Sequence, residues 1–154
     1  MTRPIINIIT AAGTGLPKRA HPTDACVDLT AAIDKPITLY TDEQRLIDTG
    51  IRVHIEPPAV DADFNWVLEI SPRSGLANKH GITITNSPGI IDQEYTGKIM
   101  VILKNTKERP FVINPGDRIA QMKLTKSYKF DWYEVDDFAE TLRGAKGFGS
   151  TGVK

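Results

Sequence analysis

Cysteine is nearly absent. The chain of 154 residues contains one, Cys26, so no internal disulfide can form and a reducing compartment suits it. A surplus of either charge is absent too, with 19 basic residues against 19 acidic ones. A protein that grips nucleic acid non-specifically displaces counterions with excess cations, and none are available here. A local cationic pocket for a small anion stays open. No apolar run approaches the ~20 residues that cross a bilayer. The opening MTRPIINIIT lacks the long apolar region of a secretory leader. These absences predict a soluble cytoplasmic protein with neither nucleic acid nor membrane as partner. The three histidines, His21, His54 and His80, show no metal-ligand spacing, and Cys26 has no cysteine partner, which argues against zinc. No serine nucleophile elbow is present.

What remains suits one domain with a real core. Hydrophobic residues make up 40% of the chain, and 12 glycines bring it to an ordinary globular composition. Short apolar runs alternate with Gly and Pro. Strands are predicted over Ile5–Ile9, Ala25–Ala32, Ile37–Tyr40, Arg45–Ile47, Ile51–Ile55, Trp66–Ile70, Lys98–Leu103, Phe111–Ile113, Arg118–Leu124 and Tyr128–Val135, with a further alternation at Ile82 and Ile84. Helix is predicted only at Ser74–His80, with Ser74 as N-cap and Gly81 as stop, and over a weakly amphipathic turn or two at Asp136–Leu142. Many short strands punctuated in this way imply an all-β sandwich or barrel. From Arg143 onward, RGAKGFGSTGVK has no core pattern and reads as a flexible Gly-rich tail.

The stretch Ser71–Ile99 holds the most chemistry. Arg73-Ser74-Gly75 offers a guanidinium that can grip phosphate bidentately, a hydroxyl, and a backbone amide open to close approach; the plain alternative is a solvated Arg beside a helix cap. Asp92 follows Gly89, Ile90 and Ile91, so it is either a carboxylate desolvated as a general base or a turn Asp. Tyr95 could stack on a ring or pack in a strand. Asn86 could read an amide-like edge or serve a turn. Asp28, alternating with Cys26 and Thr30, could sit near a cation or its waters, or on a wet face. Asp117 and Arg118 could pair with each other, and Gln121 could donate to an anion or face solvent. The tail fails the P-loop pattern, because Lys146 precedes Gly147. Its Gly-rich backbone, Ser150 and Thr151 nevertheless suit phosphate, with Phe148 free to stack.

Taken together and in order, DACVDLTAA at Asp24–Ala32, PRSGLA at Pro72–Ala77, GIIDQEYTGKI at Gly89–Ile99, PGDRIAQMKL at Pro115–Leu124 and RGAKGFGSTG at Arg143–Gly152 resemble the five motifs of the trimeric deoxyuridine triphosphatase (dUTPase) family. The resemblance implies a distorted jelly-roll-like β-barrel over residues 1–142, with one short helix, and a C-terminal arm over 143–154 that closes on a neighbouring site. It implies hydrolysis of dUTP to dUMP and pyrophosphate with Mg²⁺, which limits uracil in DNA and supplies dUMP for dTMP synthesis. By the same resemblance Asp92 activates the water, and Arg73, Ser74, Gly75 and Gln121 hold the triphosphate. Asp28 holds the metal through its water. The backbone of Asn86, Gly89, Ile90, Ile91 and Met100 reads uracil, and Tyr95 excludes a 2′-hydroxyl. Arg143, Phe148, Gly149, Ser150 and Thr151 close from the arm. A homotrimer with sites shared between subunits is implied.

The sequence departs from the family at Cys26 (usually Gly), Thr96 (often Arg), Lys146 (frequently Gly) and a longer loop at 57–65, which could serve a protein partner. Two rivals share the fold: a dCTP deaminase, for which no convincing proton-shuttling Glu is found, and a regulatory nucleotide-dependent binding protein.

Overall fold

The structure, a computed structural model, describes residues 3–58, 62–145 and 147. Among the described residues there are ten strands and one helix, five strands before the helix and five after it. Strands β1 (Ile6–Thr10), β4 (Gln44–Ile55), β8 (Lys98–Asn105) and β6 (Ile82–Ile84) form one sheet in the order β1-β4-β8-β6. Strands β2 (Val27–Thr30), β10 (Arg118–Tyr128), β5 (Phe64–Ser71) and β7 (Gly89–Ile91) form a second in the order β2-β10-β5-β7, and β3 (Ile37–Leu39) pairs with β9 (Phe111–Ile113). Every pairing is antiparallel.

The period-2 pattern creates the core. In β8, Ile99, Val101 and Leu103 are buried while Met100 and Ile102 are half-buried. All three sheets feed one apolar cluster, with Leu29, Leu68 and Ile119 from the second sheet meeting Ile47, Ile51 and Ile99 from the first and Leu39 and Ile113 from the third. Truncating one such side chain to Ala costs about 2–5 kcal/mol. Buried polar groups are satisfied: Asn105 Nδ2 donates to the Leu39 and Arg109 carbonyls, and Thr49 donates to the Ile99 carbonyl.

The segments predicted at 45–47 and 51–55 are one strand. Its register slips between Asp48 and Arg52, where Gly50 has φ +71°. A side chain at Gly50 would collide with Thr14 and Ala32, so this break is where β4 lets its neighbours approach. The Ala32 N–H donates to the Asp48 carbonyl here, tying the end of the second sheet to the first.

Helix α1 (Ser74–His80) ends as expected at Gly81, φ +67°, but Arg73 holds the N-cap position with no side-chain cap, and Ser74 is the first helical residue. Three other expectations are corrected. The strand at Ala25–Ala32 is shorter, Val27–Thr30. The strand predicted to begin at Tyr128 instead ends there, because β10 runs on from Arg118 and pairs from Gln121 to Tyr128 along the full length of β5. No helix forms over Asp136–Leu142: residues 129–145 carry neither helix nor strand, and Phe130, Trp132, Tyr133, Phe138 and Leu142 stand exposed. With so few apolar contacts, nothing offsets the entropy of fixing a short helix. No helix among the described residues is long and apolar enough to cross a membrane.

Candidate active site

The second sheet lines up three strands at one level. Gln121 on β10 faces Asp28 on β2 and Ser71 on β5. Side chains opposite one another on paired strands share a face, so Asp28 and Gln121 project together beside the exit of β5. Two residues beyond Ser71 comes Arg73, and then the first turn of α1. Its leading backbone N–H groups have no partners within the helix.

The result is a polar cleft of about 450 Å³ lined by Asp28, Arg73, Ser74, Gly75 and Gln121, with Asp24 and Cys26 on its wall. A side chain at Gly75 would meet open space, so the backbone there is accessible to a ligand. Arg73 Nε donates to Asp28 Oδ1 at 2.9 Å, and Arg73 Nη1 donates to the Arg118 carbonyl at 3.2 Å. Of the five N–H donors of a guanidinium, two are thereby used and three remain. Gln121 Nε2 donates to the Pro72 carbonyl at 2.9 Å, so it braces the segment that carries Arg73. The Cys26 thiol lines the same wall, half-buried.

Asp92 lies elsewhere. β7 pairs with β5 so that Ile91 faces Leu68, which places Asp92 level with Val67. From Val67 to Arg73 is six residues, about 20 Å at ~3.3 Å per residue. Asp92 is exposed on the single chain, not desolvated as the apolar hairpin suggested, because only one side of its loop is covered. The loop is held at its margins. The Tyr95 N–H donates to the Asp92 carbonyl, Gln93 Oε1 accepts from the Trp66 N–H, and Arg52 Nε donates to the Thr96 carbonyl. The Tyr95 ring folds over Gly97 and its hydroxyl donates to the Lys98 carbonyl. Lys98 in turn pairs with Asp48 at 2.7 Å. Burial works to raise the Asp48 carboxyl, but the hydrogen bonds from Lys98 and from the Gly50 N–H outweigh it and hold it below its ordinary value.

Of the remaining predicted residues, Asn86 is exposed in the turn before β7, with its amide against Gly89. Ile90 is half exposed, Ile91 half-buried, and Met100 half-buried on β8 opposite Asp48. The chain therefore brings Asp28, Arg73, Ser74, Gly75 and Gln121 together and leaves the hairpin group apart from them. Arg143 lies in the exposed segment beyond β10. Phe148, Gly149, Ser150 and Thr151 lie outside the described residues.

Two participants escaped sequence reasoning. Asp24 lines the cleft. Arg118 pairs with Asp28 Oδ2 at 3.1 Å and not with Asp117, whose carboxylate accepts from Asn114 in a turn. The signal for Arg118 was the adjacent pair Ile119-Ala120, two core-type residues in succession that break strand alternation.

Among the described residues no cluster of three or more His, Cys, Asp or Glu could hold a metal directly. The cleft offers hard oxygen donors instead. A carboxylate has about four acceptor positions, and the two guanidiniums take only two on Asp28, so it can still accept from the waters of a hydrated Mg²⁺.

A model of the dUTPase family matches residues 13–152. The deoxyuridine 5′-triphosphate nucleotidohydrolase of Rickettsia felis is 49% identical over 138 residues, 90% of this chain and 88% of that protein; its counterpart in Rickettsia bellii is also 49% identical, over 90% and 87%. Among solved structures, a mutant dUTPase of Staphylococcus bacteriophage 80alpha with dUpNHpp superposes at a TM-score of 0.80 with 24% identity, covering 97% of this chain and 99% of that one. A mutant dUTPase from phage phi11 of S. aureus, described as coordinating a structural Mg(II) ion, gives 0.72 with 21% identity over 88% and 99%. These two likenesses speak for the fold. From the family match and the close relatives, the chain belongs to the dUTPase family, the dUTP diphosphatases.

Proposed function

We propose that this protein hydrolyses dUTP to dUMP and pyrophosphate in a site assembled from more than one copy of the chain. The carrying observation is the distance along β5: the phosphate grip and the candidate base are about 20 Å apart at ~3.3 Å per residue, too far for one chain to close around one α-phosphate. A homotrimer would bring the grip of one subunit to the Asp92 hairpin of another. The exposed aromatics between Phe130 and Phe138 support assembly, since contiguous exposed apolar side chains mark contact surfaces.

In this reading Arg73, through its three remaining N–H groups, holds phosphate oxygens together with Ser74 and the backbone at Gly75, and stabilises the negative charge that develops as the P–O bond breaks. Gln121 keeps the Arg73 segment in place. Asp92 of a neighbouring subunit orients a water in line with the α-phosphorus and takes its proton. The water oxygen bonds to phosphorus and pyrophosphate leaves. Most of the rate comes from positioning and charge neutralisation. Bound Mg²⁺ would neutralise phosphate charge, and Asp28 would hold it through water.

The backbone of Asn86 to Ile91 and Met100 would read the uracil edge, so that cytosine leaves buried polar groups unpaired. Tyr95, packed on Gly97, would leave no room for a 2′-hydroxyl. The arm, residues 143–154, would close over the site with Arg143, Phe148, Gly149, Ser150 and Thr151 and exclude water. The single cysteine suits the reducing cytoplasm.

Purified protein with Mg²⁺ is expected to release pyrophosphate from dUTP, and far less from dTTP, dCTP or UTP. Comparable turnover of dTTP, or ammonia release from dCTP, would overturn the assignment.

A further inference from the structure

We infer that Arg118 is a positioning residue of the phosphate site, acting through Asp28 on Arg73 and never touching the substrate itself. The inference rests on the proposed role of Arg73 as the phosphate grip.

It begins with a fault in the strand. Against β2, the register of β10 shifts between Arg118, which faces Thr30, and Ala120, which faces Leu29. One extra residue, Ile119, is inserted on the β10 side, a β-bulge. Ile119 and Ala120 are both buried, at 2% and 0% exposure, although they are consecutive. In a regular strand Arg118, three residues before Gln121, would point to the opposite face from Gln121, into the core. The bulge turns it back to the face of Asp28. Bulges are known for re-aiming side chains beside active sites.

Arg118 then meets Arg73 by two routes. Its Nη1 donates to Asp28 Oδ2, while Arg73 Nε donates to Oδ1 of the same carboxylate. Its own carbonyl accepts from Arg73 Nη1. Asp28 is largely sheltered, with its side chain 18% exposed, and is clamped from both sides. An isolated ion pair as open as Arg118 would contribute little; its value here is geometric, because it fixes the plane of the carboxylate and therefore the rotation of the Arg73 fork. Arg118 does not line the polar cleft. It lines two other cavities, one shared with residues 14–20 and one with Leu76 and Phe111.

The test measures equilibrium binding of dUpNHpp and of deoxyuridine, which has no phosphate, to wild type, Arg73→Ala, Arg118→Ala, Arg118→Lys and the Arg73→Ala/Arg118→Ala double variant. For Arg118→Ala the expected result is a roughly tenfold loss of dUpNHpp affinity, the worth of one charge-assisted hydrogen bond, with deoxyuridine affinity and melting temperature unchanged. Arg118→Lys should recover part of the loss, since it keeps the charge without the fork. In the Arg73→Ala background, Arg118→Ala should cost nothing more.

An equal loss in both backgrounds would mean that Arg118 binds phosphate directly, and would overturn the inference. So would a parallel loss of deoxyuridine affinity, or full affinity in Arg118→Ala. If Arg118→Ala does not fold, wild-type dUpNHpp affinity in Arg118→Lys overturns it, and a phosphate-specific loss upholds it. If Arg73→Ala itself keeps wild-type affinity, the assignment of Arg73 as the grip is what fails.

Discussion

The two ends of β5 carry chemistry in opposite physical states. Beyond Ser71, Arg73 is locked before any ligand arrives: a carboxylate, a carbonyl and a second arginine fix it, and Gln121 pins the preceding residue. Level with Val67, Asp92 stands exposed in a loop held only by its edges, through Arg52, Gln93 and the Lys98–Asp48 pair. A preorganised cation loses little freedom when it meets phosphate. The contrast teaches that folding fixes one end in place and leaves the other open to solvent on the single chain.

The comparison can be broken at several points. The largest effect is expected from Asp92→Asn, which should lower kcat for dUTP by about 10³-fold or more, within the range of general-base removal, while dUpNHpp binding persists. Appreciable turnover would show that Asp92 is not the base. Next is complementation. Arg73→Ala and Asp92→Asn chains, each nearly inactive, should regain activity when unfolded together and refolded. At equal mixing roughly a quarter of shared sites would carry both intact groups. No recovery would mean that each chain closes its own site.

The smallest effect concerns the brace behind Tyr95. Asp48 has its carboxyl lowered in the folded state, so it contributes stability above the unfolded value that is lost as pH falls through the folded one. Asp48→Asn should therefore lower the melting temperature by a few degrees at neutral pH, and the gap to wild type should close below about pH 4. A gap that persists in acid would assign the effect to packing.

How much was legible follows from the range of each interaction. Strand alternation is local, so β1, β3, β8 and β9 were readable from residues such as Ile99, Val101 and Leu103. So was the stop at Gly81, where only a positive φ fits. Breaks in alternation misled. Gly50 interrupted β4 and made one strand look like two, and the continuation of β10 to Tyr128 depended on the length of β5, which lies far away in sequence. Arg73, Ser74, Gly75 and Gln121, which line one cleft, were singled out by residue type and motif. The link from Arg118 to Asp28 crosses 90 positions and exists only because a bulge overturns the period-2 rule, so strand periodicity would have pointed Arg118 away. The exposure of Asp92 was illegible for another reason: the apolar residues before it do not say how much of their loop the rest of the chain covers.

The segment after β10 has an optical consequence. The chain has two tryptophans, in contrasting surroundings. Trp66 is half-buried edge-on to Phe64 at 4.9 Å, with Lys126 Nζ 5.6 Å from its ring, whereas Trp132 is 90% exposed. Emission from Trp132 should shift to the red and become open to collisional quenchers whenever the segment stands alone, and shift to the blue when a second copy covers it, while Trp66 stays constant as an internal standard. For the proposed assembly the two tryptophans would serve as a gauge, readable by simple dilution without any label.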